Sequence, residues 1–192
     1  MTFDETLDQL DRALATTGRI VAGVAGDQWG DPTPCAGWDV RQVANHLVGG
    51  LSIFALQLDG QDSAVDHDGH DWLGADPAAA YAAAAGADRA AWRRPRAEAR
   101  VFDLAFGRVP APTAVVVHLT EVVVHGLDIA VATGQEELAD ESTAAGLLAT
   151  MQAMGAEAFR VPGIFGPELA AAEGDPAHRR LLAYLGRRVT VG

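Results

Sequence analysis

The sequence predicts an all-α protein: an antiparallel four-helix bundle followed by a short C-terminal helical extension. Three observations carry that reading. Four or five stretches repeat apolar residues at helical spacing, strand-like alternation is confined to one short stretch, and residues 110–134 form a long segment that is apolar on every side but one.

Taken in order, residues 3–24 place Leu7, Leu10, Leu14, Val21 and Val24 on one stripe, with Asp4, Asp8 and Arg12 off it, the pattern of an amphipathic helix. GDQWGDPTPCAGWD then reads as a loop dense in Gly, Pro and Asp. Asp39 with Gln42 three residues on forms an Asp variant of the capping box and starts a second helix to about Leu58. Its stripe is Val40, Val43, Leu47, Leu51 and Phe54, and His46 sits at the edge of that stripe. The polar residues 59–75 form a loop, and Asp76-Pro77 caps a third, Ala-rich helix that ends near Pro95. RVFDLAFGRV, at 100–109, predicts a short hairpin or extended connector. After the segment at 110–134, a helix from about Asp140 to Arg160 carries Leu147, Leu148, Met151, Met154 and Phe159. VPGIFGPEL breaks the pattern, and Asp175-Pro176 starts a last short helix with Leu181, Leu182 and Leu185. One domain over 1–192 is expected, with a core bundle of about 3–160 and an extension of about 161–192.

The stretch PAPTAVVVHLTEVVVHGLDIAVATG has Pro at its start, Gly at its end and no Pro inside, so it reads as one helix of about 22 to 25 residues. Its only ionisable interior side chains are His118, Glu121, His125 and Asp128. At 100° per residue they fall at about 0°, 300°, 340° and 280°, a single narrow polar stripe. A helix so apolar elsewhere is a buried one, and its stripe faces an internal cavity.

A net charge of −12 repels phosphate backbones and argues against nucleic-acid partners; all 14 basic residues are Arg. A lone cysteine, Cys35, excludes an internal disulfide framework and fits a reducing compartment. The acidic, amphipathic start lacks signal-peptide character, and no uninterrupted apolar run reaches the ~18 residues of a membrane span. These features predict a soluble cytoplasmic protein without a membrane partner. The apolar helices allow a homodimer face without locating it.

Within the stripe, Glu121 with His125 and His118 with Glu121 are equally legal pairs one helical turn apart. Either pair plus His46 makes an N/N/O donor set with a position left for water or substrate, as catalytic zinc sites have. A hydrogen-bonded core without any ion satisfies the same spacing. Asp128 is placed to orient a ligating imidazole or to pair with a neighbouring helix. Cys35 has no His or Arg beside it in sequence and reads as a packed small residue. His67 and His70, among Asp66, Asp68 and Asp71, read as solvated loop, and Arg89, Arg93, Arg94, Arg96 and Arg100 as a solvated basic helix end.

WGDPTPCAGWDVRQVANHLVGG and EVVVHGLDIAVATG resemble the mycothiol-dependent maleylpyruvate isomerase family, within the DinB/YfiT-like metalloenzyme superfamily. The ending RRLLAYLGRR is similar to one actinobacterial-type subfamily. The resemblance implies a four-helix bundle in which His46, Glu121 and His125 bind a divalent metal, usually Zn2+. It leaves His118 as pocket lining and Asp128 in a supporting role. It further implies mycothiol as co-substrate and a metal-bound water or thiolate acting on a small electrophile, by S-transfer or isomerisation. The alternative is a bundle that binds a metal or small molecule without the chemistry. The isomerase of that family has an additional C-terminal domain contributing to its active site, and the stretch after Gly134 is short for one.

Overall fold

The computed structural model describes residues 2–61, 66–67, 69–104, 107–155, 160 and 165–189. Among them are six α-helices: α1 Phe3–Ala22, α2 Val40–Leu58, α3 Pro77–Trp92, α4 Ala111–Thr133, α5 Glu141–Met154 and α6 Ala177–Tyr184. An antiparallel hairpin of β1 Val101–Leu104 and β2 Gly107–Pro110 precedes α4.

The local signals act where they stand in the sequence. Asp39 and Gln42 complete a capping box, with Gln42 N–H donating to Asp39 Oδ1 at 2.8 Å and Asp39 N–H to Gln42 Oε1 at 3.0 Å. Thr2 and Glu5 make the same reciprocal pair at α1. Asp76 caps α3 through Ala79 N–H, and α4 ends at Gly134 with φ +71°. Two ends differ from expectation. α3 stops at Trp92, ahead of Pro95, because residues 94–95 cannot both continue the helix and satisfy the proline. α5 stops at Met154, where Gly155 adopts φ +75°, short of the expected end at about Arg160; residues 156–159 lie outside the described residues.

Helix directions follow from pairs of contacts. Thr17 Oγ1 donates to Val122 O at 3.2 Å and Gln135 Nε2 to Ile20 O at 3.0 Å, so α1 and α4 run the same way. Tyr81 OH donates to Leu14 O, while Arg89 and Arg93 pair with Asp11 and Asp8, so α3 runs against α1. The rings of His46 and His125, and of Phe54 and His118, meet at 5.1 and 4.1 Å, so α2 runs against α4. α1 packs on α3 and α4, and α2 packs on the same two, closing a ring of helices that run up, down, down and up. The antiparallel expectation holds for α1/α3 and α2/α4, while α1/α4 and α2/α3 are parallel pairs. A parallel pair needs a connection as long as the helix itself, roughly 28 Å for 19 residues. Of the connection, the described residues His67, His70 and Trp72 lie against α2.

α4 is the innermost helix. Its apolar side chains Val115, Leu119, Val122 and Ile129 are almost wholly buried, against Leu10, Leu14, Ile20 and Leu51 of the same core. By length and composition it is long and apolar enough to cross a membrane, although His118, Glu121, His125 and Asp128 interrupt its apolar run. The fold accounts for that composition, because 78% of the window is buried among the other helices. α5 and α6 pack on each other, and α6 also reaches α4. Here His178 is held between Glu136 and Glu141, and Arg179 forms two 2.8 Å bonds to Glu136.

The close approach of α1 to α4 depends on Gly126, where an added Cβ would lie 2.4 Å from Thr17 Oγ1. Gly126→Val therefore forces the parallel pair apart. A loss of about 1–3 kcal/mol in denaturant unfolding is expected, with helicity retained; an unchanged midpoint would contradict this packing.

Candidate metal centre

α2 and α4 cross where His46 meets Glu121 and His125. Glu121 and His125 share a helix face because they are four residues apart, and both side chains lean toward the N-terminus of α4. His46 Nε2 lies 3.5 Å from Glu121 Oε2, and His125 Nε2 lies 3.2 Å from the same oxygen. Donor atoms from all three residues fall within 4.8 Å of one another. Donors held about 2.1 Å from a tetrahedral ion sit about 3.4 Å apart. The two measured separations match that edge, and two imidazoles with one carboxylate suit a divalent cation. The Glu121 side chain is 35% accessible, and the three groups open onto a cavity of about 970 Å³.

The surroundings aim these groups. His125 Nδ1–H donates to Asp128 Oδ2 at 3.1 Å, which directs Nε2 toward Glu121. Asp128 is fully buried, and Arg187, beyond α6, places its Nε 3.4 Å from the same oxygen. Burial alone would lower the His125 pKa, but hydrogen bonds to Asp128 and Glu121 overcome it and raise the imidazole to about 9. Burial likewise pushes the Glu121 carboxyl up, and the bonds from His125 and His46 outweigh it, holding the group well below its usual range. In the absence of a cation the charge of the imidazolium takes its place; a cation arriving at Nε2 displaces that proton.

Of the two pairs the spacing allowed, the structure brings His125 to Glu121 beside His46. His118 lines the same cavity, but its Nε2 lies 3.0 Å from Asp88 Oδ2 on α3, and both side chains are buried. The arginine cluster is spread over ion pairs between elements: Arg89 and Arg93 with α1, and Arg94 with Asp59.

Two sequence expectations are corrected. Cys35 does have charged neighbours: its Sγ, with donor atoms of His125 and Asp128, forms a second group within 4.8 Å. Those partners come from α4, almost a hundred residues on, and local sequence carries no sign of them. Burial raises the thiol to about 11, so it stays protonated. The loop folds back to place it, with Val40 N–H donating to Asp31 O and Thr33 Oγ1 to Trp38 O. Trp38 covers both imidazoles, 4.8 Å from the His46 ring and 6.1 Å from His125.

His67 is the second correction. Instead of lying in solvent, its ring stacks on His46 at 4.3 Å and 23°, and its Nε2–H donates to His46 O at 2.8 Å. Asn45 clips the same segment down, donating to His70 O and accepting from Trp72 N–H. The clearance comes from Gly49, whose added Cβ would lie 2.6 Å from both His67 and Trp72. The signal was present in NHLVGG: Asn45 before the histidine and small residues one turn after it. Without the crossover topology it had no partner to point to.

With the geometry in place, comparison with known proteins gives a consistent picture. A sequence profile of the mycothiol maleylpyruvate isomerase N-terminal domain matches residues 10–130, a span containing His46, Glu121 and His125. An uncharacterized protein of Mycobacterium tuberculosis, found in strains CDC 1551 / Oshkosh and H37Rv, is 31% identical over 180 residues, 93% of this chain and 95% of the relative. A crystal structure of the mycothiol-dependent maleylpyruvate isomerase shares the fold at a TM-score of 0.54 and 18% identity, over 67% of this chain and 61% of that one. A histidine-to-alanine mutant of that isomerase aligns at 0.54 and 17%, over 81% and 73%. At 61%, the first match spans less than two thirds of the isomerase, and at these identities the likeness is one of fold.

Two outcomes follow from the geometry. His125 has a folded pKa of about 9 against an ordinary 6.5, so its contribution to stability is complete below 6.5 and lost as pH rises through 9. Glu121 has the opposite sign: its contribution is present above the ordinary 4.5 and lost as pH falls. Chelator-treated protein should therefore melt progressively lower from pH 7 to 10, and His125→Gln should remove that alkaline decline; a flat wild-type profile would contradict the assignment. Gly49→Leu should displace His67 and weaken zinc affinity by about tenfold, read by competition with a chelating dye, without loss of helicity.

Proposed function

Because the chain belongs to the mycothiol maleylpyruvate isomerase N-terminal domain family, we propose that it is a divalent-metal-dependent transferase or isomerase. In this reading it uses a low-molecular-weight thiol, mycothiol, on a small electrophile. The observation that carries the reading is the donor set itself: His46, Glu121 and His125 converge within 4.8 Å at the wall of a ligand-sized cavity.

The residues divide the work. His46 Nε2, Glu121 Oε2 and His125 Nε2 would hold the ion, most suitably Zn2+ for a two-imidazole, one-carboxylate set. A bound divalent cation supplies the positive charge that lets a thiol ionise near neutral pH. Asp128 holds His125 in the tautomer that leaves Nε2 for the ion, and Arg187 Nε donates to the same Asp128 oxygen at 3.4 Å. His67 and Trp38 fix the plane of the His46 ring. Apolar walls limit water around the reacting centre, so a thiolate there meets the electrophile with less competition from hydrolysis.

The test is elemental analysis of untagged protein, paired with consumption of mycothiol against a panel of electrophiles. One divalent ion per chain is expected. His46→Ala, Glu121→Ala and His125→Ala should each lose it and with it at least a hundredfold of the thiol-consuming rate. Protein that takes up no zinc would leave the triad a hydrogen-bonded core cluster. Full metal with no turnover would favour a binding protein that keeps the site alone.

A further inference from the structure

We propose that the electrophile taken by this cavity is a neutral, apolar molecule with an extended alkyl or aryl body, and not a small dicarboxylate. This rests on the reading of His46, Glu121 and His125 as the reactive pole. The cavity, about 970 Å³, is at the upper end of the ~300–1,000 Å³ typical of small-molecule sites. Away from the pole its walls are Leu51, Ile53 and Phe54 of α2, Val117 of α4, Met151 of α5 and Phe165.

The polar groups in those walls are turned toward protein partners. Thr120 Oγ1 donates to Val116 O at 2.8 Å, and the Gln57 amide both donates to and accepts from the Asp103 backbone. His118 is held by Asp88 and His67 by the His46 carbonyl. Among the described residues, the arginines at the cavity are engaged as well: Arg160 donates to Gly166 O and Tyr184 O, and Arg187 to Asp128. Of the carboxylates at the cavity among the described residues, Glu121 belongs to the donor set and Asp103 is paired with Arg108 at 3.3 Å. A dicarboxylate could turn one carboxylate to the pole, but its second would lose its hydration against apolar walls whose described polar side chains are already bonded to protein. An alkyl or aryl body loses only unfavourable hydration, and each methylene buried is worth ~0.8 kcal/mol, a factor of about four in affinity.

The experiment uses the full chain with zinc loaded and a neutral fluorescent naphthylamine as the cavity probe. Primary alkanols of increasing length should displace the probe, tightening about fourfold per methylene while the chain still fits. Dicarboxylates of matching length should fail at concentrations a hundredfold higher. Ile53→Asp and Phe165→Asp, which place a charge on half-buried wall positions, should weaken probe binding at least tenfold with zinc content and helicity unchanged. Dicarboxylates that bind as well as alkanols, an affinity indifferent to chain length, or two Asp variants with wild-type probe affinity would each overturn the proposal. The same titration on metal-free Glu121→Ala separates the two readings. Absence of zinc in the wild type would sink the metal centre, whereas the probe series would still report on the apolar cavity.

Discussion

A carboxylate inside a helical core has to be met from somewhere, and α4 carries two of them, the half-buried Glu121 and the fully buried Asp128, through the middle of the protein. Desolvation opposes both charges. The fold answers by bringing three of the four ionisable groups in the α4 stripe against a partner from another element. His118 meets Asp88 of α3, Glu121 meets His46 of α2, and Asp128 meets Arg187 beyond α6. His125 joins the last two by bonding along its own helix to Glu121 and Asp128. The helices surrounding α4 are therefore positioned by polar demand as well as by the apolar packing that buries Leu119 and Ile129.

The up-down-down-up order gives those partners their places. With α2 antiparallel to α4, His46 comes level with His125 while Phe54 comes level with His118. With α2 and α3 parallel, the chain between them must return along the bundle, and its described residue His67 lies over the face of α2 that carries His46. Gly49 admits His67 and Trp72 there. The crossover that the topology requires is thus also the element that holds one of the three donors.

Most of the helical plan was legible in the sequence because it rests on local rules. Asp39 with Gln42, Asp76 with Pro77, and Gly134 each act within one helical turn, and the structure uses them at those positions. The polar stripe of α4 was legible for the same reason: its angular width depends only on helical geometry. What escaped was everything that required knowing which elements meet. The spacing could not choose between His118 and His125 for Glu121, since the choice is made by Asp88 from another helix. Cys35 looked isolated and His67 solvated because their neighbours are set by the return loop and the crossover. The end of α5 escaped for a smaller reason: Gly155 takes a positive φ that periodicity in the preceding helix does not foretell.

The tie between Arg187 and Asp128 bears on where this protein can be cut or joined. The family profile matches residues 10–130, a segment that holds all three donors and looks like a portable unit. Its buried Asp128, however, draws its countercharge from residue 187, far outside that boundary. A module defined by sequence likeness is here not a module in charge. Recombination that exchanged the tail would alter the electrostatic setting of His125 while leaving every donor in place, so divergence in the extension can retune the centre without touching it.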